Sequence, residues 1–115
     1  MKTITFKLPT IDEVDFSIEA TEDDIPVRGN AIDTGNKAED KKIEDKILAR
    51  LRAGNVWAWC CVKVSASFKG IESDPEYLGA CSYKSEKDFK KGLYYADMRQ
   101  TAYDNLISKL QSFEQ

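Results

Sequence analysis

Strict alternation of apolar and polar residues runs longest between Asn55 and Phe68. Val56, Ala58, Cys60, Val62, Val64, Ala66 and Phe68 form one unbroken apolar face. The other face opens with Trp57, Trp59 and Cys61 and closes with Lys63, Ser65 and Ser67. A period of two sends successive side chains to opposite sides of a sheet, so the pattern predicts a strand over 55–68. One side of it is core throughout; the other turns from aromatic to wet.

The N-terminal residues alternate too. Ile4, Phe6 and Leu8 face away from Thr3, Thr5 and Lys7 until Pro9, which has no N–H for a ladder. Val14, Phe16 and Ile18 then alternate with Asp15, Ser17 and Glu19. The two runs predict an N-terminal hairpin over 2–20. Residues 21–30 are acidic and then turn-rich, with Pro26 and the pair Gly29-Asn30, and match neither period.

From Asn36 to Ala53 the rhythm changes. Ile43, Ile47, Leu48 and Leu51 recur at three- and four-residue steps, which predicts a helix. Asp33, Thr34 and Asn36 offer N-cap side chains, and Gly54-Asn55 suits a left-handed C-terminal stop. Glu39 and Asp40 at the start, with Arg50 and Arg52 at the end, complement the helix dipole. The mixed charges of 37–46 read as a solvated face.

Beyond Phe68, residues 69–75 read as a turn and 76–83 as a partner strand. Gly79 leaves room that a neighbouring tryptophan can fill. Ser85, with Asp88 three residues on, predicts a capped helix start, and Lys91-Gly92 a break. Tyr95, Met98, Ala102, Leu106 and Leu110 then predict a final helix over 93–112, flanked by Tyr94, Tyr103 and Ile107. The order is β-β-α-β-β-α. It predicts a single α+β domain over 1–115, an antiparallel sheet with two helices packed on one face.

Composition narrows the function more than it names it. At 115 residues, 42% hydrophobic and 32% charged, the chain can bury a core without staples. No apolar run is long enough to cross a bilayer, and the N-terminus has no signal-like apolar segment, so the expected location is the cytoplasm and no membrane partner is expected. A net charge of −3 argues against general nucleic-acid binding, although local clustering can hide a patch. Cys60, Cys61 and Cys81 form no spaced framework and read as reduced thiols. The chain has no histidine, which excludes His-based acid–base chemistry, Ser-His-Asp triads and histidine zinc sites. No metal, cofactor or catalytic residue is expected.

Two places attract attention nonetheless. Trp57, Trp59, Tyr77 and Tyr83 are expected to form an aromatic sheet face that binds a partner, since tryptophan and tyrosine are enriched at interface hot spots. Its cover is open among the chain's own N-terminal strands, a second copy in a homodimer, and a target protein. Arg28 and Asn30, in the turn at 27–30, and Tyr94 are the candidates for a small nucleotide-like ligand. The plainer alternative pairs Arg28 with a nearby acid and packs one of Tyr94 and Tyr95 in the core.

Three segments, Asp24-Ile25-Pro26-Val27-Arg28-Gly29-Asn30-Ala31, Gly54-Asn55-Val56-Trp57-Ala58-Trp59-Cys60 and Leu78-Gly79-Ala80-Cys81-Ser82-Tyr83, belong together in another respect. With Asp88-Phe89 and Tyr94-Tyr95-Ala96-Asp97-Met98, they resemble a family of small uncharacterised proteins of tailed phages and prophages. The resemblance covers residues 24 to 110 and carries no assigned activity or functional residue. It implies a phage or mobile-element protein acting inside a bacterial cell. The expected function is therefore a non-enzymatic accessory protein that binds a host or phage protein, with counter-defence as one role. The alternative is a protein that binds or sequesters a small nucleotide-like ligand.

Overall fold

The structure, a computed structural model, describes residues 7–113. Residues 7–10 have no regular structure, and the rest of the first predicted strand lies outside the described residues. A 3-10 turn at Ile11–Glu13 leads into strand β1 (Asp15–Glu22), which realises the second predicted run and carries it on to Glu22. The turn is held by Glu13, whose Oε1 accepts the Thr10 N–H at 3.0 Å.

Helix α1 (Lys37–Arg52) keeps the expected limits because both of its ends are chemically marked. The Asn36 side chain accepts the Ala38 and Glu39 N–H groups. At the other end Gly54, at φ 91, donates to the Leu51 carbonyl while Asn55 N–H reaches back to Arg50. These are the two bonds of a Schellman stop.

Strand β2 (Cys60–Phe68) is shorter than its alternation suggests. Val56–Ala58 forms a second 3-10 turn, capped by Asn55, whose side chain accepts the Trp57 N–H at 3.1 Å. Ala58, Trp59 and Cys60 are therefore buried in succession, which no half-buried strand can produce. From Cys60 onward the expected face holds: Cys60, Val62, Val64 and Ala66 are shut off from solvent.

The predicted turn at 69–75 hides a strand. Lys69 and Gly70 have φ values of 50 and 81, the positive pair of a type I′ hairpin turn. They bring β3 (Ile71–Glu72) against β2, with Phe68 opposite Ile71 and Ser67 opposite Glu72. Ser73 then replaces a ladder residue with its side chain: its Oγ accepts the Ala66 N–H at 2.9 Å while its own N–H donates to the Ala66 carbonyl. Strand β4 (Glu76–Cys81) follows and also pairs with β2. β2 thus has three partners and only two edges, so β3 and β4 share one and β1 takes the other.

Ser85 caps helix α2 (Glu86–Lys91) by accepting the Asp88 N–H, and Asp88 returns a bond to Lys84 N–H, one residue earlier than a capping box would. Gly92 breaks the chain as expected and helix α3 (Leu93–Gln111) begins anew. The protein is α+β, with an open antiparallel sheet of four strands and three helices among the described residues. Their order is β-α-β-β-β-α-α, in place of the expected β-β-α-β-β-α. None of the described helices is long and apolar enough to cross a membrane.

The chain divides into two compact units. One comprises Met1–Ile18, Lys63–Tyr77 and Leu93–Gln115. In it α3 buries Met98, Ala102, Leu106 and Leu110, the stripe its spacing predicts. Polar contacts fix that helix: Tyr103 donates to the Pro9 carbonyl, Asn105 to Glu76, and Lys109 to the Glu72 carbonyl. The Arg99 guanidinium lies over the Phe16 ring, 4.8 Å from its centre. The other unit comprises Glu19–Val62 and Leu78–Gly92. Its core is Val27, Ile47, Ala58 and Trp59, flanked by Ala31, Ile43, Leu48 and Leu51. Here α1 packs on the 3-10 turn that carries Trp57.

Candidate functional site

The aromatic residues singled out by alternation do not share a sheet face. Trp59 points into the core of its unit at 3% exposure, and its Nε1 donates to the Ile25 carbonyl at 2.7 Å. Its polar atom is satisfied internally, so the whole side chain is structural. This removes Trp59 from the partner-binding face expected of it. The 3-10 turn rotates the backbone before the strand begins, so parity counted from Asn55 no longer tells which way residue 59 faces.

Trp57 and Tyr83 do come together. The Tyr83 N–H donates to the Trp57 carbonyl at 2.8 Å, and both rings pack on buried Phe89. Ring centres lie 5.7 Å apart for Trp57 and Phe89, 5.1 Å for Tyr83 and Phe89, and 6.4 Å for Trp57 and Tyr83. Two of the three contacts are edge-to-face, the arrangement that ring quadrupoles favour. Trp57 and Tyr83 remain half-buried at the rim of this cluster. Tyr77, in the other unit, is 62% exposed.

Arg28 takes the plainer of its two readings. Its Nη1 donates to Glu44 Oε1 at 3.1 Å, and its Nη2 pairs with Asp45. The neighbouring Gly29 N–H donates to Glu44 Oε2 at 2.8 Å. The turn is thus an anion cradle filled by the protein's own helix. Bonds from Asp45 and then Glu44 hold the guanidinium above its usual range. Asn30 serves the backbone, donating to the Pro26 and Arg28 carbonyls. An open cleft of about 350 Å³ lies beside it, lined by Gly29, Ile32, Asp33, Lys37, Asp40 and Glu44. Asp33, Asp40 and Glu44 outnumber Lys37 in that lining, and Glu44 already occupies Arg28, so the turn disfavours an anionic ligand at Arg28 and Asn30.

The thiols are quiet. Burial, with neighbouring thiols, raises Cys60 to about 12 and Cys81 to about 11, and burial raises Cys61 as well. Thiols so shifted stay protonated at neutral pH and are poor nucleophiles. Among the described residues no group of His, Cys, Asp and Glu is arranged to hold a metal ion.

An exposed apolar pair lies elsewhere. Leu93 is 90% exposed and Tyr94, beside it at the start of α3, is 57% exposed. Tyr94 was a sequence candidate; Leu93 was not. The signal was there, for Leu93 sits five residues before Met98, about 140° around the helix from the buried stripe. No protein-family model, curated protein or solved structure matches the chain.

Proposed function

We propose that the chain is a non-enzymatic accessory protein of phage or prophage type that binds a host or phage protein inside a bacterial cell. The observation that carries this reading is the adjacent pair Leu93 and Tyr94, two large side chains held out to solvent on the first turn of α3. An exposed leucine or tyrosine alone is ordinary, but a contiguous pair on a helix start costs hydration free energy that a partner's surface recovers. Tyrosine adds a phenolic group suited to interface hot spots. The protonated thiols and the self-filled Arg28 cradle favour a binding role over catalysis or nucleotide capture. The phage-like segments favour the origin, and inhibition of a host defence protein is the role such an origin suggests.

A tagged pull-down from bacterial lysate tests the reading when wild type is run beside Leu93→Ser/Tyr94→Ala. Both residues are exposed, so the variant keeps the wild-type circular dichroism spectrum. The expected result is one stoichiometric protein retained by wild type and lost by the variant. Equal retention by both would move the contact elsewhere, and a clean bait in both would sink the proposal.

A further inference from the structure

The last turns of α3 leave a gap against the sheet that folding does not fill. The turn at Lys69 and Gly70 folds β3 back so that Ile71 lies opposite Phe68, and α3 packs on β3. A notch of about 140 Å³ opens there, lined by Phe68, Lys69, Ile71 and Leu110. Leu110 is its closed floor at 1% exposure, while Phe68 and Ile71 are half-buried walls. Two lysines stand at the mouth. Lys69 Nζ is held 5.3 Å from the centre of the Phe68 ring. Lys109, next to Leu110, donates to the carbonyl of Glu72, next to Ile71, at 2.7 Å. Both lysines are exposed, and among the described residues neither is in an ion pair. The nearby acids are turned away. Glu72 lies on the other face of β3 from Ile71 and accepts a bond from Ser65 there. Asp74 sits beside Asn105, more than a turn of α3 before Leu110, and Asp104 lies about 120° round that helix from Leu110. Glu114 lies outside the described residues.

Size and charge together define the occupant. An apolar cavity of about 150 Å³ takes one benzene ring, so this notch takes one phenylalanine or leucine side chain. Pockets that enclose a whole small ligand run to about 300–1,000 Å³, so the rest of the occupant lies outside the notch, as the backbone of a polypeptide segment would. A stable second copy needs about 1,200 Å² or more of buried surface, which a seat for one side chain does not supply. Lys69 and Lys109 then favour carboxylates on the residues that flank the anchor. We propose that the notch formed by Phe68, Ile71 and Leu110, with Lys69 and Lys109 at its mouth, binds an acidic protein segment that presents one phenylalanine or leucine side chain. Leu93 is about 25 Å away at the other end of α3, so this site stands or falls independently of the Leu93 and Tyr94 contact proposed above.

The test is an NMR titration of the isotope-labelled full chain with a blocked short peptide, a central phenylalanine flanked on both sides by aspartate and glutamate. Amide shifts are expected at Phe68, Lys69, Ile71 and Leu110, with a dissociation constant on the order of 10⁻⁴ M, as suits one buried ring and screened ion pairs. The same peptide with alanine at its centre binds at least about tenfold more weakly, because the notch then buries no ring. Lys69→Glu, an exposed change in the hairpin turn, weakens the phenylalanine peptide at least about threefold at unchanged circular dichroism. A peptide with lysines in place of the acids gives no shifts at the notch. No shifts at a peptide concentration about twentyfold above the expected constant, or shifts confined to other residues, overturn the proposal. Equal binding of the alanine or the lysine peptide, or indifference to Lys69→Glu, overturns it as well. Phenylacetate bound as tightly as the peptide would make the notch a seat for small carboxylates and overturn the protein segment.

Discussion

The Ala80 N–H donates to Asp23 Oδ2 at 2.6 Å, joining the end of β4 to the loop after β1. Ala80 has φ 53, a left-handed conformation that costs an L-residue about 1–2 kcal/mol. Its N–H finds a partner in this carboxylate. The other oxygen of Asp23 accepts the Ile25 N–H at 2.9 Å, which shapes the chain toward the carbonyl that receives Trp59. One small carboxylate thus fixes a strained strand and the loop that closes the core.

Bonds from Ala80 first and Ile25 second hold the Asp23 carboxyl below its ordinary value of 3.8. Its folded value lies under its unfolded one, so its contribution is present above 3.8 and is lost as pH falls through the folded value. Asp23→Asn is expected to cost about 1 kcal/mol at pH 7. The deficit shrinks on acidification, because wild type loses the same charge there. Urea midpoints at pH 7 and pH 3 measure this, and a constant gap would mean that the charge of Asp23 is idle.

Trp59→Ala removes a large side chain from a closed core and leaves the Ile25 carbonyl without its donor. The expected cost is about 3–5 kcal/mol, a large fraction of the about 5–15 kcal/mol that stabilises an ordinary domain. Trp59→Phe keeps most of the packing and loses the hydrogen bond, for about 1–2 kcal/mol. Chemical denaturation followed by circular dichroism separates the two. A Trp59→Ala protein with wild-type stability would place the residue outside the core.

That result bears on what the sequence can disclose. α1 was legible to the residue because Asn36 and Gly54 mark its ends and Ile47 its buried stripe. The core face of β2 and the stripe of α3 were legible for the same reason, since each depends on one local period. Trp59 was misread because a three-residue turn reset the parity, and that turn is set by a side-chain cap from Asn55 rather than by hydrophobic pattern. β3 was missed because Lys69-Gly70 looks like any polar loop until both φ values are known. Glu44 was read as solvated, and it is buried because a loop fifteen residues away, at Gly29, folds over it. Long-range placement decided this last case.

Glu44 supplies a direct test of the filled cradle. Glu44→Ala strips both the Arg28 guanidinium and the Gly29 N–H of an acceptor and is expected to cost about 2 kcal/mol. Arg28→Ala removes one exposed donor and costs less than Glu44→Ala, while Asp45 loses only a surface pair. The double variant costs less than the sum of the two single variants, because they share one interaction. Strict additivity in thermal or urea unfolding would show that the pair contributes nothing to the fold.

The thiols give an ordered chemical readout. Cys60 and Cys81 are buried and raised to about 12 and about 11, whereas Cys61 is half-exposed and raised less. At pH 8 iodoacetamide is expected to alkylate Cys61 first, and the other two only through unfolding, as peptide mapping by mass spectrometry will show. The pH dependence follows from the same shifts. The unfolded thiols ionise near 9.0 while the folded ones stay neutral, so stability is complete below 9.0 and falls as pH climbs from there toward the folded values. Cys60→Ala removes the largest shift and is expected to flatten that alkaline loss, at the cost of a small cavity. Alkylation of Cys60 as fast as Cys61 in the folded protein would mean that its thiolate reaches solvent, which its complete burial on the core face of β2 forbids.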